Sequence, residues 1–146
     1  MVFVDWFIPG YKAGGQLRSC VNLANAMQGL LDIYVVTSDR DMGDSQSYPG
    51  IALNKWQELP GGFKVIYLDA GNQTAKKYAE LISELKPDCI YLNSMFSFRF
   101  TITPLIACRR YHIATKVVLA PRGMLHEGAL QYKSLKKKIF LNKIHK

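Results

Sequence analysis

Apolar residues along this chain recur at two spacings that take turns. Residues 2–8 form an apolar, strand-forming run broken by a single acid, Asp5. The next apolar set, Leu17, Cys20, Val21, Ala24 and Met27, falls on one face of a helix over 15–28. A β-branched run over 30–37 predicts a second strand, and residues 63–68 predict a third. Ala75, Tyr78, Ile82 and Leu85 line one face of a helix over 74–85, which Pro87 stops. Residues 88–92 read as a strand, 102–111 as a helix and 116–120 as a strand. Short continuous apolar runs alternating with helices predict an α/β fold: a five-stranded, mostly parallel sheet covered by helices on both faces. Such sheets bind ligands outside the carboxyl ends of their strands.

Between the first strand and the first helix lies Pro9-Gly10-Tyr11-Lys12-Ala13-Gly14-Gly15. Gly14 and Gly15 have no Cβ, so a ligand or a neighbouring backbone can come close. A helix starting there directs unpaired N–H groups and the positive end of its dipole at the gap, which suits a phosphate. Lys12 and Arg18 can add charge beside it. The pair reads equally as a tight structural turn, and Lys12 as a solvated loop residue. The G-x-G-x-x-G and G-x-x-x-x-G-K-[ST] spacings are both absent.

Other candidate positions fall at the same predicted edge. Arg122 follows the 116–120 strand and Pro121, where a forked guanidinium could take phosphate or carboxylate, or pair with Glu127 to fix the loop. His126 beside Glu127 reads as an acid–base pair or as a surface histidine. Asn93 and Ser94 end the 88–92 strand and are followed by aromatics, a pattern of either a small polar pocket or a capped helix start. No Ser-His-Asp set, metal-ligand spacing or pair of catalytic carboxylates can be assembled, so no catalytic residue is assigned. The segment 39–62 is longer than an ordinary α/β connection and rich in turn residues. It reads as a functional flap or a plain excursion, with a short strand or hairpin over 51–56.

Charge changes the picture by its placement. The formal net charge is +8, yet residues 1–132 carry 13 basic against 11 acidic side chains, whereas 133–146 carry six lysines and no acid. That split argues against a nucleic-acid-binding module, which would spread its cations over a folded face. The tail reads as a basic helix for peripheral contact with an anionic membrane, or as a solvated helix leading toward a further domain. An apolar share of 49% supports a sizeable core in 146 residues. Cys20, Cys89 and Cys108 read as buried free thiols, which with no visible signal peptide suits a cytoplasmic protein.

Four segments, taken in order, resemble one family. They are Trp6-Phe7-Ile8-Pro9-Gly10-Tyr11-Lys12-Ala13-Gly14-Gly15, Val35-Val36-Thr37-Ser38-Asp39-Arg40-Asp41, Lys86-Pro87-Asp88-Cys89-Ile90-Tyr91-Leu92-Asn93 and Ala120-Pro121-Arg122-Gly123-Met124-Leu125. Their order and spacing are similar to the N-terminal domain of retaining, nucleotide-sugar-dependent glycosyltransferases with the GT-B fold, family 4. The resemblance implies a Rossmann-like three-layer sandwich and transfer of a hexosyl unit to a glycan or lipid-linked glycan. It implies that Gly14 and Gly15 face an interdomain cleft near the donor diphosphate, with Arg122 a cleft-facing cation. Many relatives carry a histidine where this chain has Asn93, whose amide can bond a sugar hydroxyl but cannot act as a base. The resemblance also implies that the nucleotide-sugar pocket and an E-x7-E motif lie in a second domain outside these residues. The chain alone would then be inactive, with no metal or cofactor. The alternatives are another Rossmann-like enzyme, such as an epimerase or dehydrogenase, and a non-catalytic sugar-binding or scaffold domain.

Overall fold

Strand and helix follow each other as the periodicities dictate, and the result is a mixed α/β sandwich. The computed structural model describes residues 1–122. Its elements in chain order are β1 (Val2–Phe3), α1 (Gly15–Ala26), β2 (Tyr34–Ser38), β3 (Trp56–Glu58), β4 (Lys64–Leu68), α2 (Ala75–Leu85), β5 (Cys89–Leu92), α3 (Thr103–Arg110) and β6 (Lys116–Leu119). A π-helical turn, Phe98–Ile102, leads into α3.

The sheet has six strands in the order β3-β4-β2-β1-β5-β6. Every pairing is parallel except β3 with β4. β1 lies in the middle, with Val2 opposite Val35 on one side and Tyr91 on the other. The chain therefore winds outward from β1 in two directions, and the strand order reverses between β1 and β5. Alternate residues of each strand feed two cores. Phe3, Val36, Ile66, Leu68 and Leu92 pack with Tyr78 and Ile82 of α2 and Ala107 of α3. Val4, Val35, Val65 and Tyr67 pack with Cys20 and Ala24 of α1 on the opposite face.

Four expectations need correction. The first strand, expected over 2–8, is only Val2–Phe3, and the chain leaves the sheet before Asp5. The sheet has six strands rather than five, because the 39–62 segment contributes β3 at 56–58 rather than a strand at 51–56. Only three residues long, β3 is held by cross-strand pairs such as Glu58 opposite Lys64 and by the Trp56 ring edge-on to Tyr34 at 5.3 Å. The second strand begins at Tyr34, not Leu30. Leu30 and Leu31 both donate their amides to the Met27 carbonyl at 3.0 Å, closing the end of α1, and remain exposed. Finally, Cys20 is buried while Cys89 and Cys108 are half-buried; all three are free thiols. Among the described residues no helix is long and apolar enough to cross a membrane. The expectations for His126, Glu127 and the basic tail at 133–146 lie outside the described residues.

Candidate functional site

The reversal of strand order opens a crevice at the carboxyl ends of β1 and β5. Asp5 and Trp6 beyond β1, Ser94 and Ser97 beyond β5 and Gln16 of α1 line it, while the glycine loop, Asn93 and Arg122 stand at the same end of the sheet. Gly14 precedes α1 with φ 59° and ψ −126°, a backbone conformation that side chains with a Cβ rarely adopt, and no side chain caps the helix. Gly15 differs. A Cβ built there meets no atom within 4 Å, so no neighbouring backbone requires a glycine at that position. The first turn of α1 carries no acid to offset its dipole.

Asn93 is fully buried, its amide continuing the ladder to the Phe3 carbonyl at 3.1 Å. Arg122 Nε donates to Asn93 Oδ1 at 2.7 Å, which fixes the orientation of the side-chain amide. Among the described residues, Asn93 Nδ2 is then a buried donor with no hydrogen-bond partner. Such a group costs roughly 1–3 kcal/mol unless something accepts from it. Arg122 also donates from Nη2 to Tyr91 Oη at 3.2 Å and from Nη1 to Ser19 Oγ. Its own backbone is left-handed, with φ 52°. The guanidinium thus spans from β5 to the second turn of α1. It also lies against Cys20, whose thiol burial pushes up to about 11 despite that neighbouring charge.

Of the residues singled out in the sequence, Gly14, Gly15, Asn93 and Arg122 converge. Arg18 stands exposed on the first turn of α1. Lys12 is turned to Asp44, with which it forms an ion pair. Tyr91 and Ser19 had no sequence signal beyond their polarity. Asp41 was missed as well, though it sets the shape of the loop. Its carboxylate accepts the amides of Tyr11 at 2.8 Å, Lys12 at 3.1 Å and Met42 at 2.8 Å. Burial pushes the Asp41 carboxyl up, but these N–H groups outweigh it and hold the carboxyl below the usual range. The 39–48 segment thereby packs onto the glycine loop. At Gly10 a Cβ would strike the Tyr48 hydroxyl and come within 2.9 Å of the Phe7 carbonyl.

No family model, curated protein or solved structure matches the chain. The site brings together an uncapped helix start, a guanidinium engaged with Asn93, Ser19 and Tyr91, and a buried amide donor, groups of the kind that suit an anionic or hydroxylated ligand. A second hollow, of about 270 Å³, lies at the amino ends of β2 and β4 between Leu30, Leu31, Gly61 and Phe63. It is remote from the crevice and holds no such set of converging polar groups.

Proposed function

We propose that this chain is the acceptor-side domain of a nucleotide-sugar-dependent glycosyltransferase of the two-domain, GT-B type. The full protein would move a hexosyl unit from an activated sugar to a glycan or lipid-linked glycan. The observation that carries this reading is the buried Asn93 Nδ2, beside Arg122 and the open start of α1. A departing diphosphate needs N–H donors and a cation placed before the charge develops. Gly14 sets the backbone turn, Gly15 leaves room for the leaving group, and Arg122 faces the growing charge. Asn93 donates to a phosphate or sugar oxygen. No protein nucleophile is required for this role, and the nucleotide pocket would belong to a second domain.

The test is consumption of a panel of UDP- and GDP-hexoses by the full-length gene product, with and without cell-derived glycan acceptors. Turnover of one donor is expected, falling about 100-fold in Arg122→Ala, the scale of losing one oxyanion donor. Failure of every donor in the panel, or turnover indifferent to Arg122→Ala, would refute the reading.

A further inference from the structure

The hollow of about 270 Å³ at the amino ends of β2 and β4 lies where α1 finishes, at the far end of that helix from the crevice. The last residues of α1 form one wall and the turn between β3 and β4 another. α1 does not finish as a regular helix. The Gln28 amide donates to the Asn25 carbonyl at 3.2 Å, three residues back, rather than to Ala24 four back. Leu30 and Leu31 both turn to the Met27 carbonyl. Among the described residues no donor reaches the Ala24 carbonyl, although Ala24 is only 3% exposed and borders the hollow. An orphan carbonyl at a helix end takes its partner from outside the helix. On the opposite wall Gly61, at φ 104°, lets the chain turn over the Phe63 ring, where a Cβ would come within 2.8 Å.

The electrostatics there are the reverse of those in the crevice. No basic residue stands in the last turn of α1 to offset the negative end of the helix dipole. Asp32 lines the hollow, is exposed, and makes no ion pair among the described residues. Lys64 is close enough to feel Asp32, but its ammonium donates to Tyr34 Oη at 3.3 Å and lies 5.2 Å from the centre of that ring. The rim is apolar, with Leu30 76% and Leu31 63% exposed. We propose that this hollow binds a primary alkylammonium ion, its N–H groups meeting the open carbonyl at the end of α1 and the Asp32 carboxylate, its methylenes lying against Leu30 and Leu31. An ammonium carries three donors and no acceptor, which suits a set of acceptors. Asp32 and the helix end both oppose an anion. A neutral apolar guest would leave the Ala24 carbonyl without a partner. The same group is carried by free alkylamines and by lysine side chains.

Proton–nitrogen correlation NMR on the 146-residue chain tests this, with n-pentylammonium as the probe and the amides of Gly29, Gly61 and Gly62 as reporters. Pentylammonium should shift these amides saturably. It should bind about tenfold more tightly than ethylammonium, because its further methylenes meet the leucines. Asp32→Asn should raise the Kd about tenfold, the loss expected for a hydrogen bond to a charged group. Asp32 is exposed, so this variant should melt within about 3 °C of the parent. Added salt should weaken binding to the parent more than to Asp32→Asn. The chain-length series is read on the parent and does not depend on the variant folding. Nα-acetyl-lysine amide, titrated alongside, reads the source. Binding as tight as that of pentylammonium points to a lysine of another protein, and weaker binding to a free amine. The site is refuted if the reporter amides do not shift, if 1-pentanol or calcium shifts them as pentylammonium does, or if folded Asp32→Asn binds as tightly as the parent.

Discussion

Alanine at Gly14 and alanine at Gly15 should move stability in opposite directions. At Gly14 the added Cβ has open space around it, so the whole cost is backbone strain at φ 59° and ψ −126°. Holding a non-glycine residue in such a region costs roughly 1–3 kcal/mol. Gly15 is the first helical residue, its φ is not positive, and its Cβ also meets nothing. Alanine there restricts the unfolded chain without straining the folded one, a gain of about 0.4–1 kcal/mol. At several degrees per kcal/mol, the two variants should melt roughly 5–15 °C apart, one below and one above the parent. Thermal unfolding by circular dichroism reads this directly. Titration with pyrophosphate then adds the functional half: Gly15→Val should bind about tenfold more weakly while folding normally, because its methyls occupy space the ligand needs. Equal destabilisation at the two positions would show that the pair is simply a tight turn. Normal pyrophosphate affinity in Gly15→Val would remove the phosphate from the start of α1.

Three further outcomes follow from the same geometry. Arg122→Ala leaves the Asn93 amide with neither partner and should cost about 1–2 kcal/mol in denaturant unfolding, whereas Arg122→Lys should restore part of the stability and less of the pyrophosphate binding. Asn93→Asp gives Arg122 a carboxylate partner but turns a donor into an acceptor. It should abolish pyrophosphate binding at low ionic strength without a matching loss of stability, and unchanged binding would refute the role given to Nδ2. Acid should loosen the glycine loop. Arg40 and Ser47 outweigh burial to hold Asp39 below its ordinary range, and backbone amides do the same for Asp41. The folded-state pKa values lie below the unfolded ones, so this stability is complete above about pH 4 and lost as pH falls through the folded values. Asp5 runs the other way: its raised pKa favours the folded state at low pH, an advantage lost as pH rises through its folded value. Asp41→Asn should therefore flatten the acid limb of a stability–pH curve, and an unaltered limb would count against the Asp41 anchor.

The helices were legible from their period and the parallel strands from short apolar runs, which marked where a strand lies but not its ends: β1 is only Val2–Phe3 and β2 begins at Tyr34. Tyr78 and Ile82 mark the buried face of α2, and Thr74 and Lys86 bracket it as caps. β3 was not legible: three residues paired at an edge are fixed by what lies across from them, not by their own pattern. The same holds at the site. Two adjacent glycines look alike in sequence, yet only Gly14 has the positive φ. Lys12 looked available for phosphate, but Asp44 lies 32 residues further on and no local pattern reveals that pairing. Asp5 and Ser97 are 92 positions apart, and only the adjacency of β1 and β5 brings them together.

The Asp41 anchor sets where this fold can change length. Residues 39–48 are tied at both ends, at Asp39 through Arg40 and Ser47 and at Tyr48 through its amide to the Asp39 carbonyl at 2.8 Å. An added residue within that stretch would shift Asp41 and release the amides of Tyr11 and Lys12 together. Beyond Tyr48 the chain turns at exposed Gly50, which has open space around it. Insertions there can loop outward into solvent while the crevice keeps its shape. Variation in segment length between chains of this architecture should therefore collect after position 48 and stop short of it. The distant edge of the sheet can then diversify without retuning the ligand site.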